Sequence, residues 1–478
     1  MNLKEKAVKG IFWSSIERFS AQGVQFVLGI ILARLLTPSD YGLVGMIAIF
    51  IAISQAFVLS GFGTALVQKI DRDEKDFSTT FYYNLVVSIF FYAILFFSAP
   101  YIANFYNEPQ LVNLTRTVSL SIVIEAFAVV QRVKFIINVD FKNQTKASVL
   151  SIVISGFLGI FMAYKGFGVW ALVAQSLTRS FINVCILWYI SKWFPREKFY
   201  FNRFKRLFSY GSNLLAAGLF HSLAQNLNKI IIGKALSSET LGLYSRANSF
   251  AMFPSQNIET IISRVTLPIL CEFQNNKDKL IEMFQKIIKS TALLILPLMI
   301  ILIVLAKPLI ITLLTEKWKD SIELMQIVSL GFMFLPLNTI NLQIFAVVGR
   351  TDLSLKTDLV KQILLIGFLL GTFPFGIKAI VLGQSAAYIL TYFINLIIIH
   401  KTMNYNILNH ITNLLPVILF SIILGILVFL STTFFISQPL KLILGSTMGI
   451  FFWLLGLWKF NNAEIRTFVY SFLKRIIK

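Results

Sequence analysis

The chain has 478 residues, 56% of them hydrophobic and 14% charged, with a mean hydropathy of +0.76 and a formal net charge of +21. That leaves too little polar surface to cover a water-soluble globule of this length, so composition marks an integral membrane protein. The basic surplus does not point to nucleic acid, because Lys and Arg sit in short clusters between apolar runs and form no continuous basic face. Cys185 and Cys271 supply neither a disulfide framework nor a paired metal-binding motif.

Apolar runs long enough to cross a hydrocarbon core of roughly 30 Å, about 20 residues as helix, occur near 11–32, 41–67, 77–98, 111–131, 147–164, 169–190, 210–232, 242–268, 287–306, 321–347, 359–375, 377–399, 411–431 and 441–458. They predict an all-α membrane protein with about fourteen transmembrane helices. The runs 359–375 and 377–399 are divided only by Pro374-Phe375-Gly376, but together they exceed one crossing. Glu17-Arg18 interrupts the first run and no small-residue cleavage site follows, so it reads as a retained span. An even count puts both termini on one side. About two thirds of the 43 Lys and Arg residues fall in segments on that side, which places both termini in the cytoplasm.

The first hairpin comes back. Ala33-Arg34-Leu35-Leu36-Thr37 aligns with Gly233-Lys234-Ala235-Leu236-Ser237, and Gly42-Leu43 with Gly242-Leu243, at a constant offset of 200 residues. Gln25 then falls on Gln225. A basic residue, a short polar turn, Gly-Leu and flanking apolar helices in one register argue for duplication. The expected organisation is an N-terminal lobe at 1–190, a cytoplasmic amphipathic linker at 191–209, a C-terminal lobe at 210–400, and two further helices with a cytoplasmic tail at 401–478. The basic and aromatic residues of the linker suit a strip lying in the headgroup layer. No loop is long enough to fold as a separate catalytic domain. Pro254, Pro297, Pro336 and Pro416 fall within predicted spans, where each removes a backbone hydrogen bond. Gly445 and Gly449 form a GxxxG pair suited to close helix packing.

A charged side chain at bilayer depth costs roughly 2.5–3.5 kcal/mol on insertion scales. Each therefore needs a hydrated cavity or a partner. The buried basic residues are Arg18, Arg116, Arg179, Lys229 and Arg264, and the buried acids are Glu17, Glu125 and Glu259. On the first helix Ser14, Arg18, Gln22, Gln25 and Gly29 share one face; on the seventh His221, Gln225, Asn228 and Lys229 do the same. Matching polar stripes on equivalent helices of two halves are where transporters place substrate sites. The eighth helix adds Gln256, Glu259 and Ser263, and the tenth Asn338 and Asn341. The functional reading is a cationic cavity for an anionic head group such as a diphosphate, with Arg18 and Lys229 as its charges. Arg116, Arg179 and Arg264 lie near span ends and read as snorkelling. Glu17, Glu125 and Glu259 are candidates for ion coupling, since burial favours the protonated carboxyl, although structural pairing accounts for them equally well.

Gly371-Thr372-Phe373-Pro374-Phe375-Gly376-Ile377-Lys378 lacks the Lys that a phosphate loop requires after its second Gly, and ATP-driven pumping is not expected. Asp71-Arg72-Asp73 matches a metal-binding DxD but sits in a nine-residue loop without a nucleotide fold, so it reads as a solvated charge run. No metal or cofactor is expected.

Lys9-Gly10-Ile11-Phe12-Trp13-Ser14, Arg34-Leu35-Leu36-Thr37-Pro38-Ser39-Asp40-Tyr41-Gly42-Leu43, its echo Leu241-Gly242-Leu243-Tyr244, and Gly349-Arg350-Thr351-Asp352 resemble bacterial polysaccharide transporters. These belong to the multidrug/oligosaccharidyl-lipid/polysaccharide exporter superfamily, and the likeness is to its colanic-acid and O-antigen flippase branch. The resemblance implies two pseudo-symmetric six-helix lobes plus two C-terminal helices in the bacterial inner membrane. It implies a non-enzymatic secondary transporter that flips undecaprenyl-diphosphate-linked oligosaccharide to the periplasmic leaflet by alternating access. The implied partners are that lipid-linked substrate, membrane lipids, and a polysaccharide polymerase with chain-length machinery. Export of a drug-like cation by the same fold is the rival transporter reading, disfavoured by surplus positive charge. A membrane-embedded polymerase or ligase is the rival of another class, disfavoured by the short periplasmic loops.

Overall fold

In a computed structural model describing residues 20–59 and 61–459, every regular element is a helix. Among the described residues ten helices are long and apolar enough to cross a membrane by length and composition, and they coincide with ten of the expected runs. The expected runs at 11–32, 111–131, 210–232 and 242–268 are helical too over their described residues, but are shorter, broken or more polar. The protein is thus an all-α, multi-pass membrane protein, as its composition required. The chain divides into two compact units, Met1–Gly242 and Leu243–Lys478.

The first unit opens with α1 (Ser20–Leu35) and α2 (Pro38–Leu59). The turn between them is fixed locally. The Thr37 N–H and hydroxyl both donate to Asp40 Oδ2, at 2.8 and 2.7 Å, and the Asp40 N–H returns a bond to Thr37 Oγ at 3.3 Å. This reciprocal capping box satisfies N–H groups that a helix start leaves open, and Pro38 occupies the first helical position, where a missing N–H costs nothing. The motif that repeats in sequence is therefore a helix-start signal. Its echo uses Ser237, whose hydroxyl accepts from the Thr240 N–H at 3.1 Å, at the start of α11 (Ser238–Glu272).

Between these come α3 (Phe62–Gln68), α4 (Glu74–Tyr106), the short helices α5 (Leu111–Val118), α6 (Leu120–Ala126) and α7 (Val129–Asn138), then α8 (Phe141–Tyr164), α9 (Val169–Ser191) and α10 (Phe201–Ala235). Asp73 and Asp76 form a second capping box at the start of α4. Asp76 is fully buried and pairs with Lys69, while Arg203 reaches Asp73 at 3.0 Å and Asp76 at 3.8 Å. The Asp71-Arg72-Asp73 run is thereby committed to capping and ion pairing. Burial pushes the half-exposed Asp73 carboxyl up, but the hydrogen bonds with Asp76 and the charges of Arg203 and Lys69 outweigh it and hold its pKa below the usual value.

The linker docks on the same corner. Trp193 donates its indole N–H to Glu74, the Glu197 N–H bonds Ser78 Oγ at 3.3 Å, and the Tyr200 N–H bonds Thr79 Oγ at 3.2 Å. Trp193 and Leu207 close a buried cluster with Phe62, Leu66, Phe77 and Phe81. Lys134 lies over the Phe77 and Trp193 rings. Burial lowers its pKa, which Glu74 partly offsets.

The second unit comprises the rest of α11 with α12 (Lys277–Val304), α13 (Ala306–Leu314), α14 (Ser321–Phe332), α15 (Leu335–Val347), α16 (Thr351–Thr372), α17 (Ile377–Met403), α18 (Ile407–Thr433) and α19 (Gln438–Lys459). Pro254, Pro297 and Pro416 stand inside continuous helices. Pro336 instead follows a break and occupies the first turn of α15, where the ring is tolerated. A Cβ on Gly445 would stand 2.7 Å from the Leu305 side chain, and one on Gly449 would stand 3.0 Å from Ile301, so the GxxxG pair seats α19 against its neighbours. Buried His410 is held at both ring nitrogens, by Tyr392 OH at 2.6 Å and Tyr405 OH at 2.7 Å, which ties the start of α18 to α17.

Candidate functional site

Gln25, on α1, accepts from Arg179 Nη1, on α9, at 3.2 Å. Glu125 pairs with Arg132, and both charges act on Arg179. The guanidinium expected to snorkel is therefore tied to a polar residue on another helix and set in a field of mixed sign. Arg116 stacks 4.4 Å from the Phe96 ring and donates to the Phe96 carbonyl at 3.3 Å. On α10, Lys229 donates to Asn226 Oδ1 at 3.1 Å, so its ammonium is solvated by its own helix. Asn228 is half-buried and engaged. Gln22 Oε1 is buried without a hydrogen-bond partner among the described residues.

Glu17 and Arg18 lie outside the described residues, and so do the side chains of His221 and Gln225, which fall on α10.

In the second unit Glu259 accepts from Thr339 Oγ at 2.8 Å, and one turn further Gln343 donates to the Ser263 carbonyl, also at 2.8 Å. The polar face of α11 read from sequence thus lies along α15. Asn338 turns to α17, donating to the Tyr388 carbonyl at 3.3 Å and accepting from Asn395 at 3.1 Å. Asn341 is fully buried with both amide atoms unpartnered among the described residues.

One polar stripe was not read from sequence. Asp76, Thr80, Asn84 and Ser88 recur every four residues on α4, and all four are fully buried. Thr80 Oγ and both amide atoms of Asn84 have no hydrogen-bond partner among the described residues. Groups of this kind call for internal water. The four-residue spacing was the available signal.

Two relationships to known proteins complete the picture. The fold is one found in solved transporters. It is similar to the lipid II flippase MurJ in an inward closed conformation, with a TM-score of 0.77 and 16% identity over 95% of this chain and 100% of that one. It is also similar to an inward-facing multidrug resistance MATE family transporter of the MOP superfamily, with a TM-score of 0.60 and 18% identity over 82% and 98% of the two chains.

The chain belongs to the family of polysaccharide biosynthesis proteins whose model matches residues 31–323, as the Leu35–Gly42 motif suggested. Among its relatives are a teichuronic acid biosynthesis protein of Bacillus subtilis, TuaB, 26% identical over 75% of this chain and 74% of that protein. Another is a lipopolysaccharide biosynthesis protein of Escherichia coli, WzxC, 23% identical over 84% and 82%.

Proposed function

We propose that this protein is a flippase for undecaprenyl-diphosphate-linked oligosaccharide, moving it from the cytoplasmic to the periplasmic leaflet of the bacterial inner membrane by alternating access. The observation that carries the reading is that two deeply placed cations, Arg179 and Lys229, are held by Gln25 and Asn226 in a chain of the polysaccharide biosynthesis family. Cations kept in polar surroundings attract a diphosphate. Sugars require the same surroundings, since hydrocarbon would leave their hydroxyls unsatisfied. The polyprenyl tail stays in lipid. Arg179, through its bond to Gln25, joins Arg18, Lys229, Gln22, Gln25, His221, Gln225 and Asn228 as the proposed head-group contacts. The repeats at 1–190 and 210–400 are the proposed moving parts, and both termini are cytoplasmic. The protein catalyses no covalent step in this reading, and it hands its cargo to a polymerase with chain-length machinery.

The test is complementation of a flippase-deficient strain. Arg18→Ala/Lys229→Ala should abolish complementation while membrane expression persists. Full complementation by the double variant would rule out the cationic site.

A further inference from the structure

The first turns of α10 are fixed in rotation by Phe204 and Leu207, which face the cluster around Phe62 and Trp193. On the other side Asn202, Lys205, Arg206 and Ser209 line an open groove of about 400 Å³. Spacings of three, four and seven residues put these four on one stripe, and all are exposed. The stripe offers an amide, an ammonium, a guanidinium and a hydroxyl, every one able to donate to a phosphate oxygen.

Arg203 is committed to Asp73 and Asp76. Arg206 stands 4.0 Å from Asp71 with both side chains about two thirds exposed, a pair worth little in water and easily outcompeted by a phosphate. On the flank of the helix next to Lys205, two aromatic rings stay open: Phe201 is 66% exposed and Phe208 39%. A soluble anion would use the cations and ignore these rings. An amphiphile uses both, with phosphate at the cations and glycerol and upper chain on the aromatics.

We infer that this groove binds the phosphate head group of an anionic phospholipid, with Lys205 and Arg206 as the charge contacts and Phe201 and Phe208 beside the lipid body. The inference uses the cytoplasmic placement of the linker from the proposed topology but is independent of what the protein transports. The headgroup anchors the end of α10 whose deeper part carries Lys229, so the occupied groove fixes the height of that helix in the bilayer.

Binding is read by titrating the purified full-length chain in detergent with fluorescent phosphatidylglycerol and, separately, phosphatidylcholine. The wild type should favour phosphatidylglycerol by roughly tenfold or more. Lys205→Gln/Arg206→Gln should weaken phosphatidylglycerol binding by about 30-fold, near fivefold per cation, and leave phosphatidylcholine binding unchanged. The charge-preserving exchange Lys205→Arg/Arg206→Lys should retain the preference, and about 1 M NaCl should remove it from the wild type. An unchanged unfolding temperature shows that the glutamine variant is folded; if it is not, Lys205→Gln alone should show the fivefold loss. Equal affinity of the wild type for both lipids would overturn the inference. So would a preference that survives in the glutamine variant, or inorganic diphosphate displacing phosphatidylglycerol at equal concentration.

Discussion

Gly42 lies so close to Ser238 that a Cβ on the glycine would stand 1.7 Å from the Ser238 carbonyl oxygen. At the position 200 residues further on, Gly242 meets Pro38 in the same way, at 1.8 Å. Position 38 corresponds to 238 and position 42 to 242 in the duplication, so the contact is reciprocal, each copy of the hairpin presenting its glycine to the other's helix start. Ser39 Oγ and Ser238 Oγ, 3.0 Å apart, and the 2.8 Å bond from Ser238 to Glu108 close the same junction.

Adding a methyl group to either glycine should force the helix starts apart. Gly42→Ala and Gly242→Ala should each destabilise the protein by about 1–3 kcal/mol, because the obstructing atoms are backbone and cannot rotate away. The double variant should cost less than the sum, since one separation relieves both clashes. Thermal unfolding of the four proteins checks this.

Ser39 Oγ and Ser238 Oγ lie 3.0 Å apart, so sulfur atoms at the two positions would be brought close together. Ser39→Cys/Ser238→Cys should form a bond under oxidising conditions and stop transport, with activity restored by reductant. Cross-linked protein that transports at the wild-type rate would show that the hairpin starts need not separate.

Glu125 and Arg132 are each about a quarter exposed, and Arg179 senses both. Glu125→Gln should destabilise by about 2–4 kcal/mol, because it removes the anion that pairs with Arg132 and offsets its charge on Arg179. Glu125→Gln/Arg132→Gln should recover part of that loss. Unfolding temperatures of the single and double variants provide the measurement.

The folded-state pKa of Asp73 lies below its ordinary value of 3.8. Its contribution to stability is therefore complete above the unfolded pKa and is lost as pH falls through the folded one. The unfolding temperature should decline below about pH 4, and Asp73→Asn should flatten part of that decline. The effect is small, since the carboxyl is 43% exposed and water screens it.

Much of the fold was legible because apolar length is a one-dimensional signal: a run such as 411–431 is a membrane helix whatever its neighbours. The hairpin motif was legible too, since Thr37, Pro38 and Asp40 act within one turn. What the sequence hid depends on partners far along the chain. Distance from a span end is a local signal for Arg179, but its bond to Gln25, 154 residues away, depends on a partner that local spacing does not show. The break before Pro336 falls inside the expected run 321–347, because periodicity does not show where a helix restarts. His410 gave no signal, its partners Tyr392 on α17 and Tyr405 in the following turn being brought together only by the fold. Asp76, Thr80, Asn84 and Ser88 were visible as a four-residue repeat, but their complete burial was not.

Transport itself decides the central claim. Proteoliposomes loaded with labelled undecaprenyl-diphosphate oligosaccharide should show protein-dependent movement of label between leaflets, lost in Arg18→Ala/Lys229→Ala and retained in Lys205→Gln/Arg206→Gln at a changed rate. Label that crosses no faster than in empty liposomes, or equally fast with the Arg18 and Lys229 cations removed, would contradict the account.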